Sequence, residues 1–147
     1  MTTIPAPGAN PAPRRTRAPA VRWPGSVRRP GSADFERSAA QWLFDLAPAR
    51  WSHEQVFHRN PLDLALMVRL HLDAEILAVQ AGLKALRIAL IGAPRHPDDA
   101  ETIDAFLREQ AWAKAVRGQV RLVEDALHLS AGRVGRKRVA PLVLNAP

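Results

Sequence analysis

Apolar side chains recur at helical spacing in one short and two long stretches of the chain. Phe35, Ala39, Trp42, Leu43 and Leu46 recur at helical spacing, as on one face of an α-helix. Ser32 is a candidate cap ahead of them, and Pro48 closes the segment. A second short helix is predicted from Ser52 to about His58, with Ser52 and Gln55 as a capping box. Asn60-Pro61 then opens a long helix, because Asn caps and Pro at the first helical position gives up an N–H that has no partner there. Nothing interrupts it before Ile91. Gly92 is the candidate stop, and Pro94 and Pro97 prevent continuation. At 1.5 Å per residue this rod is about 45 Å long.

Asp98 and Glu101 form another capping box, and the helix they open is expected to run to about Leu129, where Ser130-Ala131-Gly132 ends it. Its apolar line is Ile103, Phe106, Ala113, Val116, Val120, Val123 and Leu127, a coiled-coil-like seam. Gly118 lies in mid-helix, where it either costs about 1 kcal/mol relative to alanine or admits a close neighbour. Two long helices joined by a short loop run antiparallel. The expected fold is therefore all-α: an antiparallel long-helix hairpin with one or two short leading helices.

The first long helix carries one narrow polar stripe, Arg69, Asp73, Gln80, Lys84 and Arg87, all within about 60° at 100° per residue. Most other directions are apolar, so it needs cover on more than one side. The hairpin partner covers one side, and the Phe35–Leu46 helix is too short to cover the rest. A second copy of the chain, giving a dimeric four-helix core, is the economical solution. The candidate helix–helix interface is Leu66, Leu70, Ile76, Leu77, Leu83, Phe106, Val116, Val120, Val123 and Leu127. A monomer with the short helices wrapped back is the alternative.

Charge divides the 147 residues. Residues 1–31 hold seven of the thirteen prolines, six arginines and no acid, and residues 131–147 hold four basic groups and no acid. The stretch 32–130 keeps eleven basic and all fourteen acidic groups, so the overall +7 belongs to the ends. The expected organisation is a disordered, Pro- and Arg-rich tail over 1–31, a helical domain over 32–130 and a basic tail over 131–147. The candidate polyanion-binding residues are Arg14, Arg15, Arg17, Arg22, Arg28, Arg29, Arg133, Arg136, Lys137 and Arg138. Such contacts give affinity without reading bases, and the long helices lack a basic recognition face. Trp23, among arginines, reads as a linker passenger or as a ring that stacks on bases or enters a lipid headgroup layer. Trp42, Trp51 and Trp112 read as core.

The run Leu46 to Trp51, continued through His58-Arg-Asn-Pro-Leu62 and Leu70-His-Leu-Asp73, together with Gln119 to Leu127, resembles a group of small uncharacterised helical proteins of high-GC actinobacteria. The likeness covers about residues 43–129. It implies a helical fold and a bacterial origin, and it brings no activity and no functional residue with it.

Candidate chemistry is sparse. The chain has no cysteine, which removes disulfides, thiolate metal sites and cysteine nucleophiles. No phosphate loop, dinucleotide fingerprint, calcium loop or Gly-x-Ser-x-Gly occurs. His71 and Glu75 lie one helical turn apart inside an otherwise apolar face, half of a metal or acid–base site that Glu54 and His58, or a two-fold mate, could complete. A buried polar pair that fixes register, or solvent exposure at the end of the bundle, is the plainer reading. His53 and Glu54 lack the second histidine of a zinc-protease motif, since position 57 is Phe. No catalytic residue and no cofactor is assigned. There is no secretory signal pattern and no charge-free apolar run of 18 residues, so a cytoplasmic location is the default. The expected function is a non-catalytic interaction or adaptor protein that self-associates or binds a helical protein partner. The alternatives are a non-specific nucleic-acid-associated protein and a carboxylate–histidine metal-binding bundle.

Overall fold

The chain folds into the helices that its periodicity predicts, and no strand occurs among the described residues. The computed structural model describes residues 20–94 and 96–138, with side chains as far as residue 132. Helix α1 spans Phe35–Leu46; a 3₁₀ turn, Ala49–His53, leads to α2, Gln55–Arg59; α3 spans Pro61–Ala89 and α4 spans Asp99–Arg138.

Pro61 occupies the first turn of α3 and Asp63 follows it, where a carboxylate meets the positive end of the helix. Asn60 holds the capping position without a side-chain capping bond. The 29 residues of α3 span about 44 Å. Gly92 ends the rod with a φ of +76°, a conformation that costs a residue with a β-carbon about 1–2 kcal/mol. Helix α4 then returns antiparallel to α3. Gly82 of α3 meets the ring of Phe106, and Asp73 and Arg69 meet Arg117 and Glu124 in turn.

The core sits at the end of the hairpin away from its loop. Phe35, Ala39 and Leu43 of α1 join Leu64, Ala65, Val68 and Leu72 of α3 and Val116, Val120, Val123, Ala126 and Leu127 of α4 in one buried cluster. Ser130 of α4 donates a hydrogen bond of 2.8 Å to Glu36 Oε1 of α1, tying the two together. Towards the loop, Leu83 and Ala113 are the remaining buried apolar side chains among the described residues. The hairpin therefore projects about 25 Å beyond Leu72 as a two-helix arm that α1 does not reach.

Several boundaries differ from expectation. The tail predicted over 1–31 is not featureless in its described part. Val27 is 4% exposed and belongs to the core cluster. The Trp23 indole N–H donates to the Val27 carbonyl at 2.8 Å, its ring lies 6.2 Å from that of Phe35, and the Arg28 N–H donates to Ser38 Oγ at 2.9 Å. Trp23 is thus a packed residue and not a free stacking ring. Val21 lies against Gly118, where a β-carbon would meet its methyls at 3.1–3.2 Å; Gly118 serves close approach. Residues 1–19 lie outside the described residues.

Helix α1 starts at Phe35, because the Ser32 hydroxyl accepts the Asp34 N–H in a turn ahead of it. The Ser52–Gln55 capping box does not form: Ser52 Oγ donates instead to the Ala49 carbonyl at 2.7 Å inside the 3₁₀ turn. Helix α4 passes the expected stop at Ser130-Ala131-Gly132 and reaches Arg138, since Gly132 stays out of the left-handed region and no proline follows before Pro141. Trp112 is 49% exposed and not core. Its neighbour Ala113 takes the inward position, which turns the indole outward.

Candidate functional site

Two features stand out on the hairpin: a charged seam where α3 meets α4 and, flanking it on the outer side of α3, an uncovered apolar face. The seam uses the polar stripe of α3. Arg69 donates through Nε to Glu124 Oε2 at 2.7 Å and through a terminal nitrogen to Oε1 at 3.3 Å, a bidentate pair. Arg117 Nε donates to Asp73 Oδ1 at 2.8 Å, and the other Asp73 oxygen lies 3.9 Å from Arg69. Glu124, at 8% exposure, is the one buried charged residue among those described. The hydrogen bond to Glu124 holds the Arg69 pKa above its ordinary value, with nearby Asp73 and Asp125 adding to the effect and burial opposing it. A cleft of about 300 Å³ runs beside the seam, lined by Arg69, Arg117, Arg121, Glu124, Asp125 and His128. Two of its three guanidiniums are committed to carboxylates, so its chemistry is that of a self-neutralised clasp. An incoming anion has to displace Glu124 or Asp73 to use them.

Periodicity alone presents the stripe as a solvated face and attaches no role to Arg117 or Glu124. Antiparallel geometry carries the missing signal. A hairpin whose loop centres near residue 95 sets residue i opposite about 190 − i, which brings Asp73 to Arg117 and Arg69 close to Glu124.

His71 and Glu75 are brought together, with Nε2 and Oε1 3.5 Å apart, but at a partly exposed rim and not inside an apolar face. The His71 ring packs edge-to-face with that of Trp51, the centroids 5.6 Å apart. His58 does not complete a site with them. Its Nε2 lies 2.7 Å from the Ser52 carbonyl, and its ring stacks 4.6 Å from Phe44. Among the described residues no three His, Asp or Glu side chains converge in a metal-holding group.

The candidate polyanion contacts separate by location. Arg22, Arg28 and Arg29 are exposed, with the Arg29 guanidinium 5.7 Å from the Trp23 ring. Arg133, Arg136, Lys137 and Arg138 fall on the last turns of α4, where the backbone alone is described. Arg14, Arg15 and Arg17 lie outside the described residues.

The ten candidate interface residues also divide. Leu83, Val116, Val120, Val123 and Leu127 are buried within the single chain, Ile76 and Phe106 are half-buried, and Leu66, Leu70 and Leu77 are exposed. The first group faces the chain's own partner helix, so an intermolecular role falls to the exposed three. Met67, Ile88 and Ile91 share their exposure. At the loop end a groove of about 460 Å³ opens between the helices, its apolar walls formed by Leu83, Ile88, Ile91 and Leu107. No described helix is long and apolar enough to cross a membrane. Comparison of the chain with protein-family models, curated proteins and solved structures finds no match.

Proposed function

We propose that this chain is a non-catalytic helical interaction protein of the bacterial cytoplasm that self-associates through its long helices, with its basic ends adding polyanion contact. The observation that carries the reading is the outer face of α3, where Leu70 and Leu77 are half or more exposed and stand off the buried line that packs on α4. An apolar helix face of this length is stabilised by a partner. Sedimentation velocity of the full chain over a hundredfold concentration range tests it. The expected result is a reversible monomer–dimer equilibrium, and a single monomeric species throughout overturns self-association.

The exposed Arg22, Arg28 and Arg29 favour a second, subordinate activity, weak sequence-independent binding of nucleic acid. If all six N-terminal arginines contact phosphate, the affinity of the full chain for a random duplex falls with a log–log salt slope of about −4 to −5. Replacing Arg14, Arg15 and Arg17 by alanine halves that slope. An unchanged slope assigns the contacts elsewhere.

A further inference from the structure

The outer face of α3 has a heptad register of its own, separate from the one that packs on α4. Asp63, Met67, Leu70, Ala74, Leu77, Ala81, Lys84 and Ile88 follow one another at steps alternating between four and three, the repeat of a coiled-coil seam. On average they point about 170° away from the line of Ala65, Val68, Leu72 and Leu83 that turns inward, with Lys84 and Ile88 at the border where the seam meets the loop-end groove. Met67, Leu70, Leu77 and Ile88 on this seam are all exposed, Leu77 at 66%, and so are Ala81 and Lys84 between them.

We propose that a second copy of this chain occupies this face, with the two α3 helices antiparallel and the two-fold axis passing between residues 75 and 76. The proposal rests on the self-association argued above and specifies its geometry. The order of large and small residues selects it. In an antiparallel pair centred there, Leu77 of one copy meets Ala74 of the other and Leu70 meets Ala81, so each leucine fills the space above an alanine. The helices can then approach to about 8 Å between axes, the short end of the usual range. A parallel pair sets leucine on leucine and alanine on alanine, which leaves voids at the alanine layers.

Charge selects the same orientation. Asp63 and Lys84 lie on the seam towards opposite ends of α3. Parallel packing opposes each to its own copy. Antiparallel packing lays the Lys84 stem along the partner copy's Met67 and carries its ammonium within one turn of Asp63 in that copy. One face thus supplies shape and charge complementarity to itself, the condition for a two-fold interface.

The absence of cysteine from the chain allows a clean test. Leu70→Cys and Ala81→Cys full-length chains are prepared separately and mixed before mild oxidation. The geometry sets the thiol introduced at position 70 of one chain beside the thiol introduced at position 81 of the other, inside the roughly 4.4–6.8 Å Cα range of a disulfide. Thiols at the same position in two copies lie eleven residues apart along the seam, about 16 Å. The expected result is a covalent dimer from the mixture and none from either variant alone. Self-linking of Leu70→Cys alone indicates parallel helices and overturns the proposal. A dimer by sedimentation that forms no mixed link overturns the packing while leaving self-association standing; a monomer overturns both. Leu77→Glu is expected to raise the dimer dissociation constant tenfold or more with helical content unchanged. An unaffected dissociation constant places the interface elsewhere.

Discussion

Replacing Phe35 with alanine is expected to remove about 3–5 kcal/mol of folding free energy, the range for deleting a buried aromatic ring. Phe35 is 2% exposed and joins three parts of the molecule. It is the first residue of α1, it belongs to the cluster that α1 shares with α3 and α4, and its ring backs onto Trp23 of the preceding segment. Truncation leaves a cavity at this junction and deprives Trp23 of its packing surface. A domain of this size has about 5–15 kcal/mol in hand, so the loss is a large fraction of the whole. Leu129→Ala is the control, because Leu129 is comparably apolar but 66% exposed; it is expected to change stability by no more than about 0.5 kcal/mol. Urea unfolding with both variants provides the comparison. Equal effects mean that α1 does not seal the base of the hairpin.

The base is only partly legible in the sequence, for physical reasons that differ from element to element. Helices α1 and α3 announce themselves through periodicity, through Pro61 at the start and Gly92 at the end. These are local signals and need no tertiary information. The segment around Trp23 and Val27 gives no such signal. Its composition is that of a solvated linker, and its two apolar anchors act through a turn whose Val27 N–H donates to the Pro24 carbonyl at 3.2 Å. The end of α4 is hard to place because Ser-Ala-Gly is a stop only when the glycine turns left-handed, and Gly132 does not. The division of the α3 leucines into inward and outward sets is hidden for a third reason. A helix apolar on most sides has no preferred direction until something fixes its rotation. That something is the polar stripe, since Arg69 and Asp73 must reach Glu124 and Arg117. Once they do, Leu72 and Leu83 turn inward and Leu70 and Leu77 outward. The candidate self-association face follows from ion pairs between two helices, which the spacing along either helix by itself does not reveal.

Arg69→Met is expected to cost about 3 kcal/mol, the lower end of the range for breaking a buried ion pair, because it removes the bidentate partner of the Glu124 carboxylate, which is 8% exposed. Glu124→Leu costs less. The Arg69 side chain is a quarter exposed and keeps Asp73 within 3.9 Å. The double variant Arg69→Met, Glu124→Leu is expected to recover most of the loss, since an apolar pair of similar volume replaces a pair that was expensive to desolvate. Urea unfolding of all four proteins gives the coupling energy. Strictly additive single effects, with no recovery in the double variant, contradict a direct pair. Asp73–Arg117 supplies the comparison: both side chains are about a third exposed, and breaking that pair is expected to cost under about 1 kcal/mol. Stability is nonetheless the smaller part of what the seam does. The apolar lines of α3 and α4 both repeat at steps of three and four, so sliding one helix past the other by seven residues again meets apolar with apolar. The charges oppose the slide in either direction. One way brings Arg69 opposite Arg117; the other brings Asp73 opposite Glu124. The apolar double variant therefore keeps its free energy while losing the penalty on slipped hairpins. Amide resonances in the α3–α4 arm are expected to appear in more than one set, where the native chain shows one.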